Sequence, residues 1–192
     1  MTTTSNLPTT VDDLSGTYVI DASHTRIGFV ARHAMVTKVR GSFNEFEGSA
    51  VVDANDFTKS SAQLTIQVAS IDTRSEQRDG HLRTNDFLDL ENFPQITFAS
   101  TAVEKTGPTS LEVTGDLTIK DVTRSVTIPF DFEGAATDPY GNLRVGFEGS
   151  VVINRKDYGI TFNAALETGG VMVSEKITLE FEISAIKTQP AA

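Results

Sequence analysis

The chain has no cysteine and no tryptophan. Without cysteine there are no disulfides, thiolate metal sites or cysteine nucleophile. Basic charge is scarce: 16 Lys and Arg stand against 26 Asp and Glu, a formal net charge of −10 with His neutral. That balance repels phosphate backbones and anionic lipid surfaces, so sequence-independent binding to nucleic acid or to a membrane surface is not expected. No apolar run approaches the ~18 residues of a membrane span, so no integral membrane segment is expected. The opening MTTTSNLPTTVDDLSG lacks the basic start, apolar stretch and cleavage pattern of a secretory signal, which predicts a cytoplasmic location. Catalytic signatures are missing too: no Ser–His–Asp order, P-loop, dinucleotide glycine fingerprint or HExxH occurs.

What is present is a globular composition, 39% apolar with 12 Phe over 192 residues, enough for one domain. Residues 1–15 lack any period and are expected to form a loose tail. From Gly16 to residue 188 the pattern has a period of two, and 189–192 form a short C-terminal tail. Leu111, Val113, Leu117 and Ile119 alternate with polar residues, as do Val126, Ile128, Phe130 and Phe132, then Val145, Phe147, Val151 and Ile153, then Ile177, Leu179, Phe181 and Ile183. Ile27, Phe29 and Ala31, and Leu64, Ile66 and Val68, do the same earlier. Each is a strand with one apolar and one wet face. Thr106-Gly107-Pro108, Lys120-Asp121 and Asp138–Asn142 supply hairpin turns. The apolar parity slips after Phe43, which predicts a β-bulge near Asn44-Glu45. About nine such segments give an antiparallel meander, and a barrel closes it without edges.

Thr73-Arg74-Ser75-Glu76 has capping-box spacing, and Asn85 stands before a second short turn with Phe87 and Leu88. A helical insertion near residues 74–89 is expected, covering one end of the barrel. An eight-stranded barrel is either filled by side chains or just wide enough for one small ligand. Gly115, Gly149, Ser100 and Ala102 fall on the inward parity beside large residues, which leaves unfilled volume; the other reading makes the glycines bends or bulges. A buried methylene contributes ~0.8 kcal/mol, whereas association costs ~4–15 kcal/mol. A long apolar chain therefore suits such a lumen better than a small metabolite.

Asp21-x-x-His24, Phe29 through His33, Ser70–Thr73, Arg78–Asp89 with its RDxHLR core, and Phe93–Phe98 together resemble the YceI-like family. Gly115–Ile119 and Asn154–Ile160 resemble two further blocks, and the likeness runs from about Gly16 to Lys187. The resemblance implies an elongated, lipocalin-like antiparallel barrel that binds polyisoprenoids or isoprenoid quinones in its lumen. It also implies a possible homodimer. Many members carry an export signal, from which this sequence departs.

The three histidines, His24, His33 and His81, have no metal-ligand spacing. His33 shares the inward parity of Ile27 and Phe29 and is either a head-group contact or a satisfied core residue. Asp79 and His81, two apart on a helix, point away from each other and make a poor acid–base pair. Arg83 and Arg155 either meet a polar head group or pair with Asp79 and Asp157. The family block adds Asp79, His81, Arg83, Phe87 and Arg155 as ligand-binding candidates, with Tyr158 as a wall or plug residue. The inward faces assign the tail to Ile27, Phe29, Phe98, Phe130, Phe132, Phe147 and Phe181. The expected protein is a non-enzymatic lipid-binding barrel that needs no cofactor and whose ligand is a polyisoprenoid or isoprenoid quinone. Its rivals are a small lumen enzyme acting on a hydrophobic substrate and a ligand-free structural barrel.

Overall fold

Among the described residues, apolar–polar alternation is realised as eleven antiparallel strand segments, with one α-helix between them. They are β1 (Gly16–Ile20), β2 (Arg26–His33), β3 (Thr37–Phe43), β4 (Phe46–Val52), β5 (Ser61–Gln67), β6 (Ile71–Asp72), α1 (Glu76–Leu82), β7 (Gln95–Gly107), β8 (Ser110–Ile119), β9 (Val122–Thr137), β10 (Leu143–Asn154) and β11 (Lys176–Lys187). The structure, a computed structural model, describes residues 6–188. The expected C-terminal tail and the first five residues lie outside the described residues.

Three pairs of segments are halves of single long strands. Both β1 and β2 pair with β11, and they part only at the turn around Asp21–Thr25. In the same way β3 continues into β4, and β5 into β6, each half pairing with its own partner. The sheet is therefore an eight-stranded barrel, closed where β11 meets β1 and β2. The expected bulge at Asn44-Glu45 is instead a break in two strands at once. The β3–β4 break lies opposite the 3-10 turn Val68–Ser70, spanned by Asn44 N–H to Ser70 O (3.2 Å) and Gln67 N–H to Glu45 O (2.9 Å). Bulges sit elsewhere, at Thr101 in β7 and Glu133 in β9. The first turns Ala102 to the outside, against the simple parity, and brings Val103 in as the partner of Val113.

The N-terminal segment is not loose from Val11 onward. Asp13 accepts the amides of Thr9 (3.1 Å) and Thr10 (3.2 Å), which stabilises a 3-10 turn at Val11–Asp13. Val11 and Leu14 are almost fully buried and join Tyr18, Leu111, Phe132, Val145 and Ala185 in an apolar cluster that stoppers one end of the barrel. The Tyr18 hydroxyl donates to Leu14 O at 2.9 Å. At the opposite end lies the insertion. Its helix is capped by Ser75, which accepts from Arg78 N–H at 3.3 Å, rather than by Thr73. The following turn is closed at Thr84, whose carbonyl accepts the Phe87 amide (3.0 Å), rather than at Asn85.

Outside the first end, Arg144 joins Asp21, beside the β1–β2 break, to Asp138, in the β9–β10 turn. Arg144 first, then Ser23 and His24, holds Asp21 well below the usual carboxylate range. Asp138 is brought to about 2, chiefly by the Asn142 backbone N–H.

Two outcomes follow from these contacts. Leu14→Ala should cost about 2–5 kcal/mol in urea unfolding, the range for a large-to-small core change; a loss under ~0.5 kcal/mol, the scale of surface substitutions, would show the stopper to be idle. Both clasp carboxylates have folded pKa values below the unfolded value. Their contribution is fully present above about pH 4 and is lost as pH falls through the folded values. Arg144→Gln should therefore move the acid-unfolding midpoint upward, read by circular dichroism.

Candidate functional site

Inside the barrel, between the two packed ends, lies a cavity of about 210 Å³. Along β8 it is bordered from Leu111 to Ile119, eight residue steps or ~26 Å of strand, which the usual barrel tilt reduces to ~20 Å of axis. The space is thus long and thin, smaller than the 300 Å³ and upward of drug-sized pockets. Its walls are Phe, Ile, Leu and Val almost throughout. Polar lining is confined to Tyr18, Ser49, Ser60, Ser61, Gln63 and Thr97. Most of these stand on or beside the β4–β5 hairpin.

Small residues make the space, though not the glycines expected. At Gly115 a Cβ would meet the Phe98 ring at 2.5 Å, and at Gly149 it would meet Phe130 at 2.7 Å. Each of these glycines is a seat for a phenylalanine from the next strand, so the rings lie flat on the wall. The hollow is left by Ala50 and Ala62, register partners on β4 and β5, beside Ser100, whose hydroxyl accepts the Ala62 amide at 2.8 Å. Phe130 stands at the middle of an aromatic group, 5.9 Å from Phe181 and 6.5 Å from Phe147.

Five of the expected tail residues border the cavity: Ile27, Phe98, Phe130, Phe147 and Phe181. Two do not. Phe29 lies over Gly41 and packs on Phe43 at 5.8 Å, while Phe132 belongs to the stopper cluster with Phe147 at 5.4 Å. Sequence reading also missed Leu14 and Tyr18, which border the cavity from the stopper side.

None of the expected head-group residues reaches the cavity. His33 keeps its parity, but β2 and β3 run on past the barrel end, so the ring is exposed and only its backbone bridges to Val173. Asp79 is buried and accepts from both the amide and hydroxyl of Thr73, while Arg78 donates to the same Thr73 hydroxyl (2.8 Å) and carbonyl (2.7 Å). Arg83 donates to the carbonyls of Ala69 (3.1 Å) and Ile71 (3.2 Å), which fastens the insertion to the barrel; no Asp79–Arg83 pair forms. His81 bonds Asp86 at 2.8 Å and stands edge-on to Phe87 and Phe162, 5.0 Å from each.

Arg155 is buried among backbone carbonyls: Nε donates to Ser174 O (2.8 Å), Nη1 to Ile160 O (2.8 Å) and Nη2 to Val173 O (3.3 Å). Burial pushes its pKa down, with Glu175 opposing. It acts as a staple for the segment between β10 and β11, and the expected Asp157 pairing does not form. Tyr158 is buried in the same end, and its hydroxyl has no hydrogen-bond partner among the described residues. Burial raises its pKa. These residues, which carry the family motif, pack the second end of the barrel and do not border the cavity. Among the described residues no group of three His, Cys, Asp or Glu is placed to hold a metal.

Comparison with known proteins agrees with this architecture. The chain is 40% identical over 169 residues to the UPF0312 protein SAS2572 of Staphylococcus aureus, covering 88% of this chain and 95% of that one. The crystal structure of Burkholderia cenocepacia BcnA superposes with a TM-score of 0.75 at 25% identity, over 86% of this chain and 98% of that one. The YCEI protein of Campylobacter jejuni gives 0.71 at 26% identity, over 82% and 90%. A polyisoprenoid binding domain from Saccharophagus degradans shares the fold at 15% identity, with a TM-score of 0.68 over 89% and 98%. Residues 18–185 match the YceI-like domain, and the chain belongs to that family.

Proposed function

We propose that the barrel binds one long, unbranched or methyl-branched apolar chain in its lumen and serves to store or carry it, with a polyisoprenoid or the tail of an isoprenoid quinone as the ligand class. The observation that carries this reading is the thin, apolar cavity that lies between the two packed ends, with Ala50 and Ala62 on its wall. A fused-ring ligand is too wide for such a bore, and a charged metabolite finds no counter-charge on its walls. The polyisoprenoid binding domain of S. degradans, which has the same fold, supports the choice of ligand class. A packed structural barrel is disfavoured by the same cavity.

The polar lining indicates where a head group would lie. Residues of both facings on the β4–β5 hairpin, Ser49 with Ala50 and Ser61 with Ala62, border one cavity. On this reading the tail runs along the aromatic wall and its polar end rests near Ser60, Ser61 and Gln63, not near His33.

Three outcomes are expected of delipidated protein titrated with isoprenoid alcohols of increasing length. Affinity rises with each added unit, at ~0.8 kcal/mol per buried methylene, and levels off once the ~20 Å bore is full. A flat series would contradict a lumen site. Ala62→Phe, which fills the hollow without adding a polar atom, should shift that plateau to shorter chains or abolish uptake while circular dichroism stays unchanged. Phe130→Glu places a charge in the apolar wall and should reduce uptake at least tenfold; unchanged uptake in both folded variants would overturn the proposal.

A further inference from the structure

Residues 22–44 contain no Asp or Glu, in a chain where 26 of 192 residues are acidic. The same 23 residues carry Arg26, Arg32, Lys38 and Arg40. They form β2, β3 and the hairpin between them, whose outer part runs beyond the β2–β11 ladder, which ends at Val30. Arg32 and Lys38 are register partners across that hairpin. Like charges directly opposite each other destabilise a strand pair unless something anionic lies against them. Among the described residues, no carboxylate is within 4 Å of either; Arg40, farther along the same face, has Glu180 at 3.5 Å.

The hairpin tip supplies a second, independent observation. Ala34 and Met35 have φ of 52° and 63°, with Val36 N–H bonded to His33 O at 3.0 Å. Two positive φ values at the central positions of a β-turn, here within a three-residue connection, are the conformation that Asn-Gly adopts most cheaply. Here the strained positions hold Ala and Met, and the tip presents Met35 and Val36 at 60% and 75% exposure. Below the tip, on the outer face, runs a groove of about 820 Å³ bordered by Val30, Val152, Arg32, Lys38 and Lys176; Glu175 on its margin is already paired with Lys156.

We propose that this hairpin docks the barrel on an anionic bilayer surface, Met35 and Val36 entering the interfacial zone while Arg32 and Lys38 meet lipid phosphates. The overall charge of −10 does not forbid it. At physiological salt the screening length is ~8 Å, so carboxylates at the far end of the barrel scarcely reach the bilayer. The charge is unevenly distributed, with no Asp or Glu among residues 22–44. The proposal is independent of what occupies the lumen, and lumen loading is measured separately by solvent extraction.

Flotation of the full chain with phosphatidylcholine vesicles, with and without phosphatidylglycerol, tests it. Binding is expected only to the anionic vesicles and should weaken steeply as salt is raised. Arg32→Gln with Lys38→Gln should lower the partition constant about thirty-fold, equivalent to about 2 kcal/mol at ~1 kcal/mol per basic residue. The pair Ala34→Asn and Met35→Gly relieves the turn and removes the apolar tip; it should keep or raise thermal stability while weakening flotation. Equal binding to neutral vesicles, no flotation at low salt, or undiminished flotation of the cation variant would each overturn the proposal, and capture of an acidic protein in place of vesicles would assign the face to that partner.

Discussion

The hydrogen-bonded closure of β11 against β1 and β2 is the constraint on which everything else depends. An open antiparallel sheet of this length has two edges and one apolar face with nothing to cover it. Closed, it has no edges, and its apolar face encloses a bore whose width is fixed by the number of strands. Eight strands leave almost no slack. Whether the bore is empty is then decided by a few side chains, because one phenylalanine more or less fills or opens a section of it.

The phenylalanines are therefore as informative as the alanines. Phe98 lies over Gly115, Phe130 over Gly149 and Phe29 over Gly41, so that the largest inward side chains line the wall instead of crossing the bore. Ala50 and Ala62 face each other across β4 and β5, and both border the cavity. The ends are closed by different chemistry. One uses apolar packing under Val11 and Leu14; the other uses buried polar contacts, with Asp79 holding Thr73 and Arg155 gathering three carbonyls. A buried guanidinium bound only to carbonyls is costly to leave unpaired, so this staple ties the β10–β11 segment to a single arrangement.

Much of the barrel was legible in the sequence, because a period of two over strands as long as β8 to β11 admits no other element. The turns after β7, β8 and β9 were legible for the same reason, with Gly, Pro and Asp at their tips. Register was not. The bulge at Thr101 reverses the facing of Ala102, and nothing local to that strand announces a bulge that is decided by its partner. The stopper at Val11 and Leu14 was hidden because two apolar residues in a polar stretch have no period, although the Asp13 carboxylate three residues after Thr10 was a usable capping signal. At the site, five of the seven expected tail residues were readable from parity, whereas the contacts of the motif residues were not. Asp79, Arg83 and Arg155 bind backbone groups, and a sequence does not show which carbonyl will come within reach of an arginine.

Native mass spectrometry of freshly purified protein, before and after organic extraction, tests the central claim most directly. The account predicts one added mass per barrel that is removed by solvent, and whose fragments are those of a single hydrocarbon chain with a small polar end. A bare chain mass before extraction, together with no uptake from an offered isoprenoid mixture, would contradict it.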